Sequence, residues 1–197
     1  EVEKYLPRNT CALIKSALGF KLGKVCPYVE VADMVVGENT CDGKKKAYET
    51  FETLFDNFYV MDLPQKKSEE GRDLLTTEYH RFAANLQELT GTEITVKSLK
   101  EAIGLVNEKR KALARLADLR KATPAPISGL DALLINQVAF YDNPQRFTAS
   151  VNKICDALES AIASGEGVLP GDRPRVIISG CPMAVPNWKL PYIVEQA

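Results

Sequence analysis

Five cysteines are the residues of this chain best suited to chemistry: Cys11, Cys26, Cys41, Cys155 and Cys181. A cysteine sulfur is a nucleophile and a metal ligand as the thiolate, and a small hydrophobe as the thiol. Position in the pattern decides which of these matters. Cys41 stands in "VGENTCDGKKK", between an apolar run and the start of a helical pattern. That is the carboxyl end of an expected parallel strand, where α/β sheets place their ligands. It is also a helix N-terminus, which favours a thiolate. Its neighbours Asn39, Thr40, Asp42 and Gly43 are small or polar and suit a tight loop. Cys11 follows "PRNT" and likewise opens an apolar helical stripe. Cys26 and Cys181 each precede a proline, which fixes the backbone, and either could line the same cleft. Cys155 lies on the stripe Phe147, Val151, Ile154, Cys155, Leu158 and Ile162 and reads as core.

From the residues alone, Cys41 stays open between core filler and thiolate ligand. The steps from Cys11 to Cys26, Cys41 and Cys181 are 15, 15 and 140 residues, which match no CxxC pair, zinc finger or ferredoxin run. A cluster bound by dispersed cysteines remains open. The single histidine, His80, lies between Tyr79 and Arg81 in a helical pattern and reads as structural, so a hydrolase triad is hard to build. Neither GxxxxGK[ST] nor GxGxxG occurs, so nucleotide binding by this chain has no support. Lys44 to Lys46 read as a solvated helix start, with attraction for an acidic partner or a CoA phosphate as the alternative. Trp188 reads as a packing residue close to the Cys181 loop.

Several elements must position these residues. Residues 7–22 predict a helix with a stripe of Leu13, Ile14, Ala17 and Leu18, and residues 27–32 a short helical piece. "MVVG" at 34–37 predicts a parallel strand buried on both faces. Asp42 is placed to cap a helix over 43–56 with the face Ala47, Phe51, Leu54 and Phe55. "FYVMDLP" at 58–64 predicts a second strand, and the alternation argues α/β with a parallel sheet. Helical patterns follow over 68–90 (Leu75, Tyr79, Phe82, Leu86, Leu89) and 98–122 (Leu99, Ile103, Val106, Leu113, Ala117). Two more cover 130–141 and 144–163. "RVIISGCP" then predicts another strand, and "NWKLPYIVEQA" a helix.

The expected organisation is a first α/β unit over 1–67, a helical segment over 68–166, and the start of a second α/β unit over 167–197. The fold class is α/β, with Rossmann-like or flavodoxin-like parallel-sheet units, a helical insert and truncation at both ends. The sequence begins without Met and stops inside a helical pattern, which motivates the last expectation. A short internal echo pairs Pro27 to Ala32 with Pro191 to Ala197, allowing one inserted residue. With 25 basic and 26 acidic residues, nothing marks nucleic acid as a partner. No apolar run approaches the roughly 18 residues that span a bilayer. An odd cysteine count without a visible secretory signal favours a reducing compartment.

The segments "YLPRNTCALIKSALGF", "CPYVEVADMVVGENTCDGKKKAYE" and "ISGCPMAVPNWKLPYIVEQA" resemble the 2-hydroxyacyl-CoA dehydratase and benzoyl-CoA reductase family, of the 2-hydroxyglutaryl-CoA dehydratase D-component type. They look most similar to its double-cubane cluster protein branch. The resemblance is specific around Cys11, Cys41 and Cys181 and loose in the helical middle. It implies that Cys11 and Cys41 ligate an iron–sulfur cluster, 4Fe-4S or double-cubane 8Fe-9S, with a further ligand from a C-terminal domain. Cys26 and Cys181 would fit the larger cluster, which needs more thiolates. It also implies an ATP-dependent iron–sulfur activator protein as electron donor, so the ATP chemistry belongs to that partner. A homodimer or a related paralogous subunit, a cytoplasmic setting, and a small-molecule or acyl-CoA substrate complete the implied picture.

Three readings follow. The first is a reductase component that takes low-potential electrons from the activator and reduces a difficult substrate. The second is a 2-hydroxyacyl-CoA dehydratase subunit performing reductive radical dehydration. The third is a non-catalytic α/β interaction module whose cysteines are structural. Thiol accessibility separates the third from the others.

Overall fold

Two short parallel strands organise the N-terminal half of the chain. The computed structural model describes residues 1–180, Met183 and residues 187–197. It divides into two compact units, Glu1–Ile94 and Thr95–Ala197.

The first unit opens with a 3-10 turn, Val2–Lys4, followed by α1 (Ala12–Gly23), α2 (Pro27–Val31), β1 (Val35–Glu38), α3 (Asp42–Phe51), β2 (Phe58–Met61) and α4 (Glu69–Thr90). β1 and β2 pair in parallel from Val35↔Phe58 to Glu38↔Met61, with α3 as the crossover. A parallel pair needs such a crossover because a tight turn can join only antiparallel strands. Leu6, Ile14, Leu18, Ala47, Tyr48 and Phe51 form the core, with Phe58 and Val60 packed on it. Successive strand residues point to opposite faces, so Tyr59 leaves this core and meets Phe82 of α4, ring centroids 5.1 Å apart. Helices thus cover β2 on both faces, and the α/β expectation holds.

Several details differ from the sequence reading. β1 is not buried on both faces: Val36 is 44% exposed. A two-stranded sheet consists of two edges, which leaves part of β1 uncovered. Residues 7–10 form a turn, with Thr10 N–H donating to the Pro7 carbonyl at 2.9 Å, so α1 begins at Ala12. Of its expected stripe, Ile14 and Leu18 are buried and Leu13 is exposed. α3 ends at Phe51, although Leu54 and Phe55 still pack on the core from the turn beyond. In α4, Leu75, Phe82 and Leu86 of the expected stripe are half-buried, but Tyr79 and Leu89 are exposed, and Glu78 is buried beside Tyr79 on the inward face.

The second unit contains α5 (Val96–Leu119), α6 (Gly129–Val138), α7 (Pro144–Ala163) and α8 (Lys189–Gln196). Its core joins Ala112 and Leu116 of α5 to Phe147, Val151 and Cys155 of α7, with Ala139. Arg115 spans the same pair of helices, donating from Nη2 to Asp156 at 2.7 Å and from Nε to Glu159 at 3.0 Å. The expected α5 stripe holds only in part: Leu99 and Ile103 are exposed, because α7 packs against the C-terminal half of α5. The strand expected from "RVIISGCP" is absent over residues 175–179. A strand is defined by its hydrogen-bonded neighbour, and among the described residues nothing pairs with this segment; Ile177 is 90% exposed. The C-terminal helix is present as α8. Both echo segments are helical, but Pro27 opens α2 whereas Pro191 stands inside α8. Among the described residues, no helix is long and apolar enough to cross a membrane.

Candidate functional site

Helix starts distinguish the cysteines. Cys11, Cys26 and Cys41 are the N-cap residues of α1, α2 and α3, and none of their side chains makes a capping hydrogen bond. The next four helices start on side-chain caps: Ser68, Thr95, Ser128 and Asn143 each accept a backbone N–H of the first turn. α8, starting on Trp188, also lacks one. A missing cap costs a helix about 1 kcal/mol. Three consecutive helices that forgo it for sulfur are difficult to explain by stability. The sequence reading placed Asp42 at the cap; instead Cys41 holds the extended boundary conformation, φ −147° and ψ 135°, and Asp42 is already helical.

The thiols of Cys11 and Cys41 are exposed, that of Cys26 is half-buried, and that of Cys155 is buried; all four are free. Cys155 is core, as its stripe implies. Cys181 lies outside the described residues. The starts of α1 and α3 abut. A methyl group built on Gly43 would stand 2.9 Å from Ile14 Cδ1 and 3.7 Å from Cys41 Sγ. Ile14 is one turn beyond Cys11, and Gly43 is two residues beyond Cys41. Among the described residues, however, no three His, Cys, Asp or Glu side chains converge in a metal-holding group. The soft, exposed sulfurs of Cys11 and Cys41 are of the donor type that thiophilic iron takes.

The Cys41 loop is held on every side. The Glu38 carboxylate accepts the Thr40 N–H at 3.2 Å, the Thr40 hydroxyl at 2.6 Å and the Lys44 ammonium. Lys44 also donates to Thr40 Oγ1 at 2.9 Å. Tyr48, buried in the core, donates its hydroxyl to the Glu38 carbonyl at 2.8 Å. Asn39 ties the loop to the end of β2: its N–H donates to the Met61 carbonyl at 3.3 Å, its amide donates to Asp62, and its Oδ1 accepts the Leu63 N–H at 2.9 Å. Burial pushes the Glu38 carboxyl up, but the hydrogen bonds from Lys44 and Thr40 outweigh it and hold the group below its ordinary value. Burial, with the Glu38 charge, pushes the Tyr48 phenol up.

Of the lysine run, Lys45 and Lys46 are exposed as a solvated helix start implies, and Lys44 is half-buried. Lys44 pairs with Glu38, Lys45 with Asp42 at 3.7 Å, and Lys46 with Glu49 at 2.8 Å. Sequence reasoning missed Glu38 and Thr40. A carboxylate closing an apolar strand, six residues before a lysine, was the available signal. It also missed the buried Glu78, which accepts the Tyr59 hydroxyl at 2.7 Å and pairs with Arg81 at 2.8 Å. Glu78 lies midway between Leu75 and Phe82 in helical spacing, and a carboxylate on an apolar stripe was the signal there. His80 is exposed on α4.

In the second unit, a cleft of about 970 Å³ is lined by Ile127, Leu133, Leu169, Ile178 and Val194, with Arg120, Arg173 and Arg175 among its polar residues. Arg175 is already committed. It donates to the carbonyls of Arg120, Lys121 and Ala122 at 2.8, 3.1 and 2.5 Å, and so closes the C-terminal end of α5. Trp188 does more than pack: its Nε1 donates to Gln137 Oε1 at 2.9 Å, and Gln137 donates to the Met183 carbonyl at 2.9 Å.

The chain is similar to known proteins along its whole length. The model of the family described as 2-hydroxyglutaryl-CoA dehydratase, D-component, matches residues 1–197. YjiM of Escherichia coli (strain K12), provisionally named a dehydratase subunit, is 39% identical over 201 residues, covering 100% of this chain and 51% of that protein. The (R)-phenyllactyl-CoA dehydratase beta subunit of Clostridium sporogenes is 25% identical over 183 residues, 91% of this chain and 47% of that one. A benzoyl-CoA reductase subunit of Thauera aromatica is 26% identical over 128 residues, 64% of this chain and 32% of that one. The chain spans about half the length of the first two relatives and about a third of the third.

Proposed function

Because the chain belongs to the 2-hydroxyglutaryl-CoA dehydratase D-component family, we propose that it is part of an iron–sulfur reductase or dehydratase component whose cluster is ligated in part by Cys11 and Cys41. The observation that carries this reading is the pair of exposed, uncapping thiols at the abutting starts of α1 and α3. When bound, such a cluster supplies low-potential one-electron chemistry.

The chain's own part is to hold and orient. The N-terminal turns of α1 and α3 bring unpaired backbone N–H groups to the edge where negative charge is placed. The Asn39 and Glu38 hydrogen bonds fix the loop that carries Cys41. Cys26 and Cys181 are the candidates for further thiolates. An ATP-dependent activator protein is the proposed electron donor. A 2-hydroxyacyl-CoA or a related acyl-CoA is the proposed substrate, a class supported by the two relatives named for acyl-CoA chemistry. A reducing, cytoplasmic setting keeps the thiols available, and a second copy or a paralogous subunit is the proposed assembly partner.

The test is anaerobic reconstitution of the full chain with iron and sulfide, followed by iron analysis and visible and electron paramagnetic resonance spectra. Wild type should bind iron, and Cys11→Ser and Cys41→Ser should each lose most of it. Cys155→Ser should not. Absence of iron in the wild type, or full retention in both ligand variants, refutes the reading.

A further inference from the structure

We propose that Glu38 is a positioning residue for the Cys41 ligand: it holds the loop in place and sets the charge beside it. This rests on the reading of Cys41 as a cluster ligand. Glu38, Thr40 and Lys44 close a ring of hydrogen bonds that brackets Cys41 in sequence. Oε2 of Glu38 takes the Thr40 N–H and hydroxyl at 3.2 and 2.6 Å, Oε1 takes the Lys44 ammonium, and Lys44 returns to Thr40 Oγ1 at 2.9 Å. The ring is anchored below by Tyr48, whose hydroxyl meets the Glu38 carbonyl at 2.8 Å. The residues on either side of Cys41 are tied, whereas its sulfur serves no helix cap.

A ligand is presented best when the residues around it are fixed and its donor atom is not otherwise engaged. Glu38 also matches the Lys44 charge. Lys44 alone would put an unbalanced cation in the first turn of α3, and a cation near a cluster favours the reduced, more negative form. The carboxylate cancels that effect and keeps the potential low. A purely structural ring would fix the loop but would leave the potential insensitive to which charge is removed.

The test uses the full chain and three variants, Glu38→Gln, Lys44→Met and the double substitution. Their secondary structure is first matched to wild type by circular dichroism. Hydrogen exchange without iron reads the loop: amides of residues 38–46 should exchange about tenfold faster in Glu38→Gln, the size expected for losing a hydrogen bond to a charged group, with the peptide around Cys11 unchanged. Potentiometric titration of the reconstituted protein reads the charge. Glu38→Gln should shift the midpoint to more positive potential, Lys44→Met to more negative, and the double variant should return close to wild type.

A midpoint indifferent to both single substitutions overturns the proposal, even if exchange is faster. Unchanged exchange overturns it as well. A wild type that binds no iron instead overturns the function proposed above, and the hold of Glu38 on its loop is then decided by exchange alone.

Discussion

The ring of Tyr48 lies directly over Gly37: a methyl group at that glycine would stand 2.5 Å from Cζ and 2.8 Å from the hydroxyl oxygen. No real side chain tolerates such an approach, so the end of β1 must pass Tyr48 without a Cβ. The contact is what lets the Tyr48 hydroxyl reach the Glu38 carbonyl, and it links the core of the first unit to the Cys41 loop.

Gly37→Ala should therefore destabilise the first unit by about 1 to 3 kcal/mol through overpacking. It should also reduce iron uptake on reconstitution, because Tyr48 must move away from Glu38. Urea denaturation and iron analysis check the two effects. A stable variant with full uptake would show that the contact does not support the loop.

Thiol labelling should separate the cysteines. Cys155 is fully buried, and burial pushes its thiol up. Peptide-resolved alkylation of the native apoprotein should modify Cys11 and Cys41 readily, Cys26 more slowly and Cys155 only after unfolding. Cys155→Ser should cost about 1 to 3 kcal/mol, since it buries a hydroxyl among apolar groups. Native labelling of Cys155 would contradict its place in the core.

Acid should weaken the Glu38 network. The carboxyl lies below its ordinary value of 4.5 in the fold: burial acts against this, but the Lys44 and Thr40 hydrogen bonds prevail. A lowered carboxyl takes up its proton later in the folded than in the unfolded chain as the pH falls. Its contribution is therefore complete above about 4.5 and is lost as the pH drops through the folded value. The urea midpoint of wild type should fall more steeply from about pH 6 to about pH 3 than that of Glu38→Gln. Identical pH slopes would refute the assignment.

Glu195 closes the start of α6 from α8. Its carboxylate accepts the Gly129 and Leu130 N–H groups, while Ser128 Oγ accepts that of Asp131 at 2.9 Å. Glu195→Ala should cost about 1 to 2 kcal/mol, combining a lost cap with the lost helix-dipole interaction. Hydrogen exchange should quicken at the first turn of α6 and along α8. Unchanged exchange at α6 would show that Ser128 suffices.

Local order in this protein is written in its sequence. The succession of helix, strand, helix and strand over the first unit follows from apolar periodicity and punctuation, which are properties of neighbouring residues. So does the core stripe of α7, where Phe147, Val151 and Cys155 are buried as their spacing requires. The cysteines at helix starts were legible for the same reason, because a helix boundary is a local event.

Whatever depended on partners was left to the packing of distant segments. Residues 175–179 have the composition of a strand, yet no neighbour pairs with them among the described residues. The stripe of α5 is buried only where α7 covers it. On α4, Phe82 keeps its expected inward place against Tyr59, but Glu78 rather than Tyr79 is buried there, because its carboxylate accepts the Tyr59 hydroxyl. Glu38, Thr40 and Lys44 join across a loop whose geometry no spacing rule specifies. A side chain's neighbours in sequence set its backbone preference, but its charge partner and its burial are set by whatever the chain brings against it.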